Sequence, residues 1–306
     1  MLKKILIALT ILIVAGLIVL ACYIFLEKQT VSESNLVRAV PVNTPLFLEC
    51  RNYSGLVESL ENNCEYWKEL KNIDAIGKLQ IQMKYINALQ DANPGLKALL
   101  SSRPVVISTH LTGKNNISFL FLVSLTNEWN EEYISEIINK EIAGIGSIAE
   151  RSYDHSTVYD VKLGKTRYID NFSFSFDDGI LIFSFSPILV EDALRQLRSG
   201  ISLSEYSDFR KIAGTSGINV NANIYINYKA LPRLLTLLID GDHHHVTNTL
   251  SSFANWSELD LNLKKDLILL NGFTYSGDSV PEYMSILEHQ EPVKFRMDKI
   301  LPSGTS

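Results

Sequence analysis

Along NFSFSFDDGILIFSFS, residues 171–186, phenylalanine alternates with serine, so that Phe172, Phe174 and Phe176 share one side of an extended chain. Asp178-Gly179 in the middle supplies the positive-φ pair that joins twisted antiparallel strands, and the segment predicts a β-hairpin. The same pattern pairs PVVISTHL with ISFLFLVSL about TGKNN, SIAERSY with VYDVKL about DHS, and SELDLNL with DLILLNGFTYSG about Lys264-Lys265. In NVNANIYINY, residues 219–228, Val220, Ala222, Ile224 and Ile226 fall on one face. Asn219, Asn221, Asn223 and Asn227 fall on the other, which predicts a strand that is wet on one side.

Between these runs the apolar period lengthens to three and four, the mark of a helix with one buried stripe. Leu56, Val57 and Leu60 follow Ser54, a residue suited to an N-cap. Trp67, Leu70, Ile73, Ile76, Leu79, Met83, Ile86 and Leu89 mark a long helical stretch over 65–92, stopped by Asn-Pro-Gly at 93–95. Further helices are predicted at about 129–142, from Pro187 to the Gly200 stop, over KALPRLLTLLI, and over VPEYMSILEHQ. The fold class expected is α+β: hairpin-rich antiparallel sheet with helices packed on one face.

An idiom recurs. PLFLECRNYSGLVESL and NIYINYKALPRLLTLL each run from a strand through Asn-Tyr into a helix. The closing KILPSGTS, residues 299–306, repeats the order of RAVPVNTP before the first strand, and is read as the start of a second, truncated module.

Residues 5–26 contain no charge and, at about 1.5 Å per residue, would span roughly 33 Å as a helix. Lys3 and Lys4 precede the run and Glu27 follows it, which predicts a single-pass anchor with a cytoplasmic N-terminus. The expected organisation is a cytoplasmic tip at 1–4, the transmembrane anchor at 5–26, a polar stalk at 27–38 and an extracytoplasmic α+β module at 39–298. The expected address is the cell membrane, with the module on the periplasmic side.

The net charge of −6 becomes −8 over residues 27–306, and no run of lysine and arginine occurs, so nucleic acid is not a partner expected of this chain. Cys50 and Cys64 flank one strand–helix turn; a disulfide between them and two separate buried thiols are both open readings. The metal candidates are Asp242, His243, His244 and His245, with Asp240 nearby. Adjacent side chains diverge on any regular element, so a solvated loop explains them more simply than a site. GIGSIA at 144–149 matches a dinucleotide fingerprint by letters but follows a helical stretch instead of a strand. Asp177-Asp178 sits at a hairpin tip, GTSG lacks the frame of a nucleophile elbow, and His110 and His155 have no triad partner in view. No cofactor is expected, and the chain is not expected to be an enzyme.

The Lys-Lys-led apolar run, AVPVNTPLFLECRNYSGLVESL, the Phe-rich hairpin with PILVEDALRQL, and LLNGFTYSGDSVPEYMSILEHQEPVKFRMDKILPSGT together resemble an uncharacterised family of anchored Bacteroidota envelope proteins, catalogued as domain of unknown function 3352. The resemblance implies an extracytoplasmic address and a longer protein; it implies no activity and no functional residues. The function expected is therefore an interaction or scaffolding module of the envelope with a protein partner. The alternative is a carrier or chaperone for a lipid or other apolar ligand, and a metal-dependent hydrolase built on the histidines comes third.

Overall fold

The computed structural model describes residues 35–114, 116–127, 129–164, 169–238, 249–277, 282–288 and 290. Among these, ten strands make one antiparallel sheet: β1 (Leu46–Cys50), β2 (Val105–Leu111), β3 (Ile117–Ser124), β4 (Gly146–Tyr153), β5 (Ser156–Leu163), β6 (Asn171–Asp177), β7 (Ile180–Ser184), β8 (Ala222–Asn227), β9 (Trp256–Lys264) and β10 (Leu267–Tyr275). Their order across the sheet is β10-β9-β8-β1-β2-β3-β7-β6-β5-β4. The helices are α1 (Tyr53–Asn63), α2 (Trp67–Leu70), α3 (Asp74–Ala92), α4 (Pro94–Ser102), α5 (Glu131–Ile142), α6 (Pro187–Arg198), α7 (Ser207–Ala213), α8 (Leu231–Leu238) and α9 (Ser285–Glu288).

All four predicted hairpins form. Asp178 and Gly179 take φ of 49° and 72°, and Asp154 and His155 take 46° and 66°, the positive values that a tight hairpin turn demands.

Helices cover both faces of the sheet, not one. On one side α1, α3, α4 and α5 enclose a core that includes Tyr53, Leu99, Phe121, Ile134, Phe172 and Phe174. On the other, a 3-10 turn at Asn35–Ala39 together with α6 and α7 encloses Leu36, Phe47, Leu120, Ile182, Leu194 and Phe209. The reason lies in β2 and β3, where residues 105–110 and 117–123 are buried without a break. Such strands have no polar face to leave in water, so a second layer must cover them. The turn at Asn35–Ala39 also draws the end of the expected stalk into the core, since Leu36 is fully buried.

Much of the polar surface that alternation would leave in water is buried and internally satisfied, although Asn219 stays exposed. Ser173 Oγ donates to Asp160 at 2.5 Å, Ser175 Oγ to the Thr157 carbonyl at 2.8 Å, and Ser184 Oγ to the Phe119 carbonyl at 2.8 Å. Asn223 and Asn227 on β8 are likewise buried. A hydroxyl or amide that finds a partner indoors loses little on leaving water.

The long helical stretch divides. α2 ends at Leu70 and α3 restarts at Asp74, with Gly77 packed against the Lys71 carbonyl, where a Cβ would stand 2.7 Å from that oxygen. Asn93 then ends α3 and caps α4, a helix the sequence pattern did not reveal, by accepting from Gly95 N and Leu96 N at 3.0 Å. Asn52, not Ser54, caps α1, accepting from Gly55 N at 2.8 Å. Asn130 does the same for α5 through Tyr133 N at 3.0 Å. Asn130→Ala should cost about 1 kcal/mol, read as a lower urea midpoint at unchanged slope; an unchanged midpoint would show that the cap contributes nothing.

The single-pass membrane description is corrected. Residues 5–26 lie outside the described residues, and no helix among those described is long and apolar enough to cross a membrane. α3 has 19 residues, but it carries Asp74, Lys78, Lys84 and Asp91.

Candidate interaction surface

The two outer strands of the sheet differ in chemistry. β4, GSIAERSY, carries Glu150 and Arg151, and Arg151 is held by Asp160 at 2.6 Å and Glu191 at 2.7 Å. Charges of this kind guard an edge against unplanned pairing. β10, LILLNGFTY, has nine residues without a charge or a proline, and among the described residues no strand lies on its outer side.

The register on β9 assigns the faces of β10. Leu270 pairs with the core residue Leu261, whereas Leu267, Leu269, Asn271 and Phe273 pair with Lys264, Asn262, Asp260 and Glu258. Leu267, Leu269, Leu270 and Phe273 are all exposed, Phe273 to 61%. A glycine is required at 272 because a side chain there would run into the Glu258 carbonyl, so β10 lies close against β9. Among the described residues the strand is thus held firmly on one side and open on the other.

The recurring strand–Asn-Tyr–helix idiom makes the open side more telling. β1 and β8 lie side by side and antiparallel, with Leu46 against Ile226. Outward from this pair run β1-β2-β3 in one direction and β8-β9-β10 in the other. The outer side of β3 is covered by β7 through pairs such as Phe121 with Phe183. β10 occupies the corresponding position in the second series, and there, among the described residues, the sheet stops.

Beneath the edge lies a carboxylate that the sequence reading overlooked. Glu258, fully buried and opposite Phe273, accepts from Asn223 Nδ2 at 3.2 Å and from Thr215 Oγ1 at 3.3 Å. Asp260, two residues along on the same face, accepts from Asn223 Nδ2 at 2.8 Å and Gly217 N at 2.7 Å. Burial first, and the neighbouring Asp260 charge second, push the Glu258 carboxyl up to about 7. The clue in the sequence was the spacing Glu-x-Asp within a predicted strand, which puts both carboxyls on one side.

Other candidates resolve into structural roles. Asp177 receives Arg198 at 2.5 Å and Ser156 Oγ at 2.5 Å, and Asp178 pairs with Arg38 at 2.6 Å, so the two carboxylates tie a hairpin tip to its surroundings. His155 forms a turn and Gly146 opens β4. His110 borders a polar cleft of about 640 Å³ and hydrogen-bonds Ser108 Oγ at 2.8 Å and Thr44 Oγ1 at 3.2 Å. Burial lowers the pKa of its imidazole to about 4, so the ring is neutral. Ser108 and Thr44 are fully buried. Cys50 and Cys64 are both buried and unbonded. Burial raises the Cys50 thiol far above its ordinary value, which makes it unreactive.

Between the sheet and α3–α5 lies an apolar cavity of about 80 Å³, bordered by Tyr85, Phe121, Ile134, Phe172 and Phe183. Tyr53 also borders it and has no hydrogen-bond partner for its hydroxyl. Among the described residues no group of three or more histidines, cysteines, aspartates or glutamates could hold a metal; Asp242, His243, His244 and His245 lie outside them.

No family model matches the chain, and no curated protein and no solved structure does so either, so the resemblance drawn from its motifs adds nothing to the reading of this surface.

Proposed function

We propose that this chain is an interaction module whose working surface is the free edge of β10, and that it takes an extended segment of a protein partner as a further strand. The observation that carries the reading is a nine-residue outer strand, uncharged and apolar on both faces, beside an opposite edge that bears charges. An unpaired edge offers a row of backbone donors and acceptors, and alternate side chains of an incoming strand would meet Leu269 and Phe273 on one face and Leu270 on the other. The cover that β7 gives β3 supplies the internal precedent.

The carrier reading has less to stand on. Sites for drug-sized ligands run to about 300–1,000 Å³, and the apolar cavity here holds about 80 Å³. The phenylalanines of the β6–β7 hairpin fill the core more than they line a hollow.

A synthetic nonapeptide of alternating valine and threonine, added to dilute protein, should slow amide exchange across 267–274 at least about tenfold, a binding effect of roughly 1.4 kcal/mol. In a Leu269→Lys, Phe273→Lys double variant the slowing should vanish. Unchanged exchange in the original protein at saturating peptide would sink the proposal.

A further inference from the structure

We infer that the strand seated on β10 is the β10 of a second copy of this chain, antiparallel and related by a two-fold axis through Asn271. This rests on the edge-docking reading above and names its partner. Centred on Asn271, the strand is complementary to itself. Leu269 faces the second copy's Phe273, Leu267 faces its Tyr275, and Asn271 faces its own counterpart on one side of the ribbon. On the other side Leu270 faces the second copy's Gly272, and Ile268 faces its Thr274. Leucine against an aromatic ring is a favourable cross-strand pair, and the small glycine leaves room for the leucine.

Charge points the same way. The chain carries −6, so two copies repel overall, whereas β10 brings no charge to the contact. The alternative, in which β10 meets β4 of the next copy, would repeat without end and would set the apolar strand against Glu150 and Arg151. The two-fold pairing closes after two copies and consumes both open apolar edges. It also has more to bury at its ends: α9 hangs from residues 252–253 through Tyr283 N to Ser252 O and Met284 N to Phe253 O, close to where Asn255 N holds the Tyr275 carbonyl. Its exposed Ile286 and Leu287, and the exposed Tyr283 just before it, therefore stand at the Tyr275 end of β10, which the two-fold axis brings to the Leu267 end of the second copy.

Sedimentation velocity and amide exchange of the purified full chain test this together. The expected result is a dimer in which the amides of 267–274 that do not bond β9 are protected, and a Leu269→Lys, Phe273→Lys variant that is a folded monomer with those amides open. A second variant reads the register: under oxidation Asn271→Cys should form a covalent dimer, whereas Thr274→Cys, which faces Ile268, should not. A monomer at every concentration with open amides overturns self-pairing while leaving the edge available to a different strand. A monomer with protected amides overturns both readings, because the edge is then covered within the chain. A dimer that survives the double variant, or cross-links equally at 274, overturns the pairing stated here.

Discussion

Glu258→Gln should stabilise the protein at pH 8 by about 3 kcal/mol and at pH 5 by only about 1 kcal/mol. The folded carboxyl titrates at about 7, whereas a carboxyl in the unfolded chain titrates near ~4.3. Between these values the folded protein keeps a proton that the unfolded chain has already lost. Unfolding then releases a proton, so this group's contribution to stability falls as pH rises from roughly 4.3 to about 7 and is level above that. At about 1.4 kcal/mol per unit the full penalty is on the order of 3–4 kcal/mol. Glutamine cannot ionise, keeps one oxygen for Asn223 Nδ2, turns an N–H toward Thr215 Oγ1, a hydroxyl that can accept it, and removes the charge that competes with Asp260. Urea unfolding of both proteins at pH 5 and pH 8 checks it. Parallel pH profiles would show that Glu258 does not titrate in this window. Since Glu258 lies opposite Phe273, the same proton should firm the seat of β10 on β9 in mildly acidic solution.

Phe174→Ala should be the most damaging single truncation in the Phe-rich hairpin, at about 3–5 kcal/mol. Phe174 is buried, stacks on Tyr159 with centroids 4.8 Å apart and planes at 13°, and meets the edge of Phe176 at 5.6 Å. Alanine would leave a void that the sheet, pinned on both sides by β5 and β7, cannot close. Phe176→Ala, on the half-buried final turn of the same stripe, should cost roughly half as much. The comparison is informative because the two residues have the same chemistry and differ only in depth. Equal losses would mean that aromatic pairing, not burial, sets the energy of the stripe.

How much of the surface was legible beforehand depends on the residue. DLILLNGFTYSG announced a strand, and its lack of charge was visible; that it is the last strand of the sheet was not. Edge position is a property of the strand order, and the order places β10 next to β9 only and β1, the first strand, in the interior. Glu258 and Asp260 were seen only as polar positions of an alternating strand. Their coupling needs Asn223 from β8 and Thr215 and Gly217 from the loop after α7, residues up to 43 positions away.

The sequence by itself determined the hairpins, because turn chemistry is local. Asp178-Gly179 and Asp154-His155 take the positive φ of a tight turn, and the period-two runs on either side read as strands. It also determined most helix positions and the α+β class. It did not determine which faces are dry. The serines of β6 and β7 and the asparagines of β8 alternate as solvent-facing residues would, yet they are buried. Only the tertiary structure supplies the carbonyls and carboxylates that satisfy them, and the second helical layer of α6 and α7 that covers them. Capping was decided in the same way: Ser54 had the right type and place to cap α1, but Gln90 of α3 engages its hydroxyl at 2.7 Å, and the cap falls to Asn52. A residue's type limits the bonds it can make; which bond it makes depends on what the fold brings within reach.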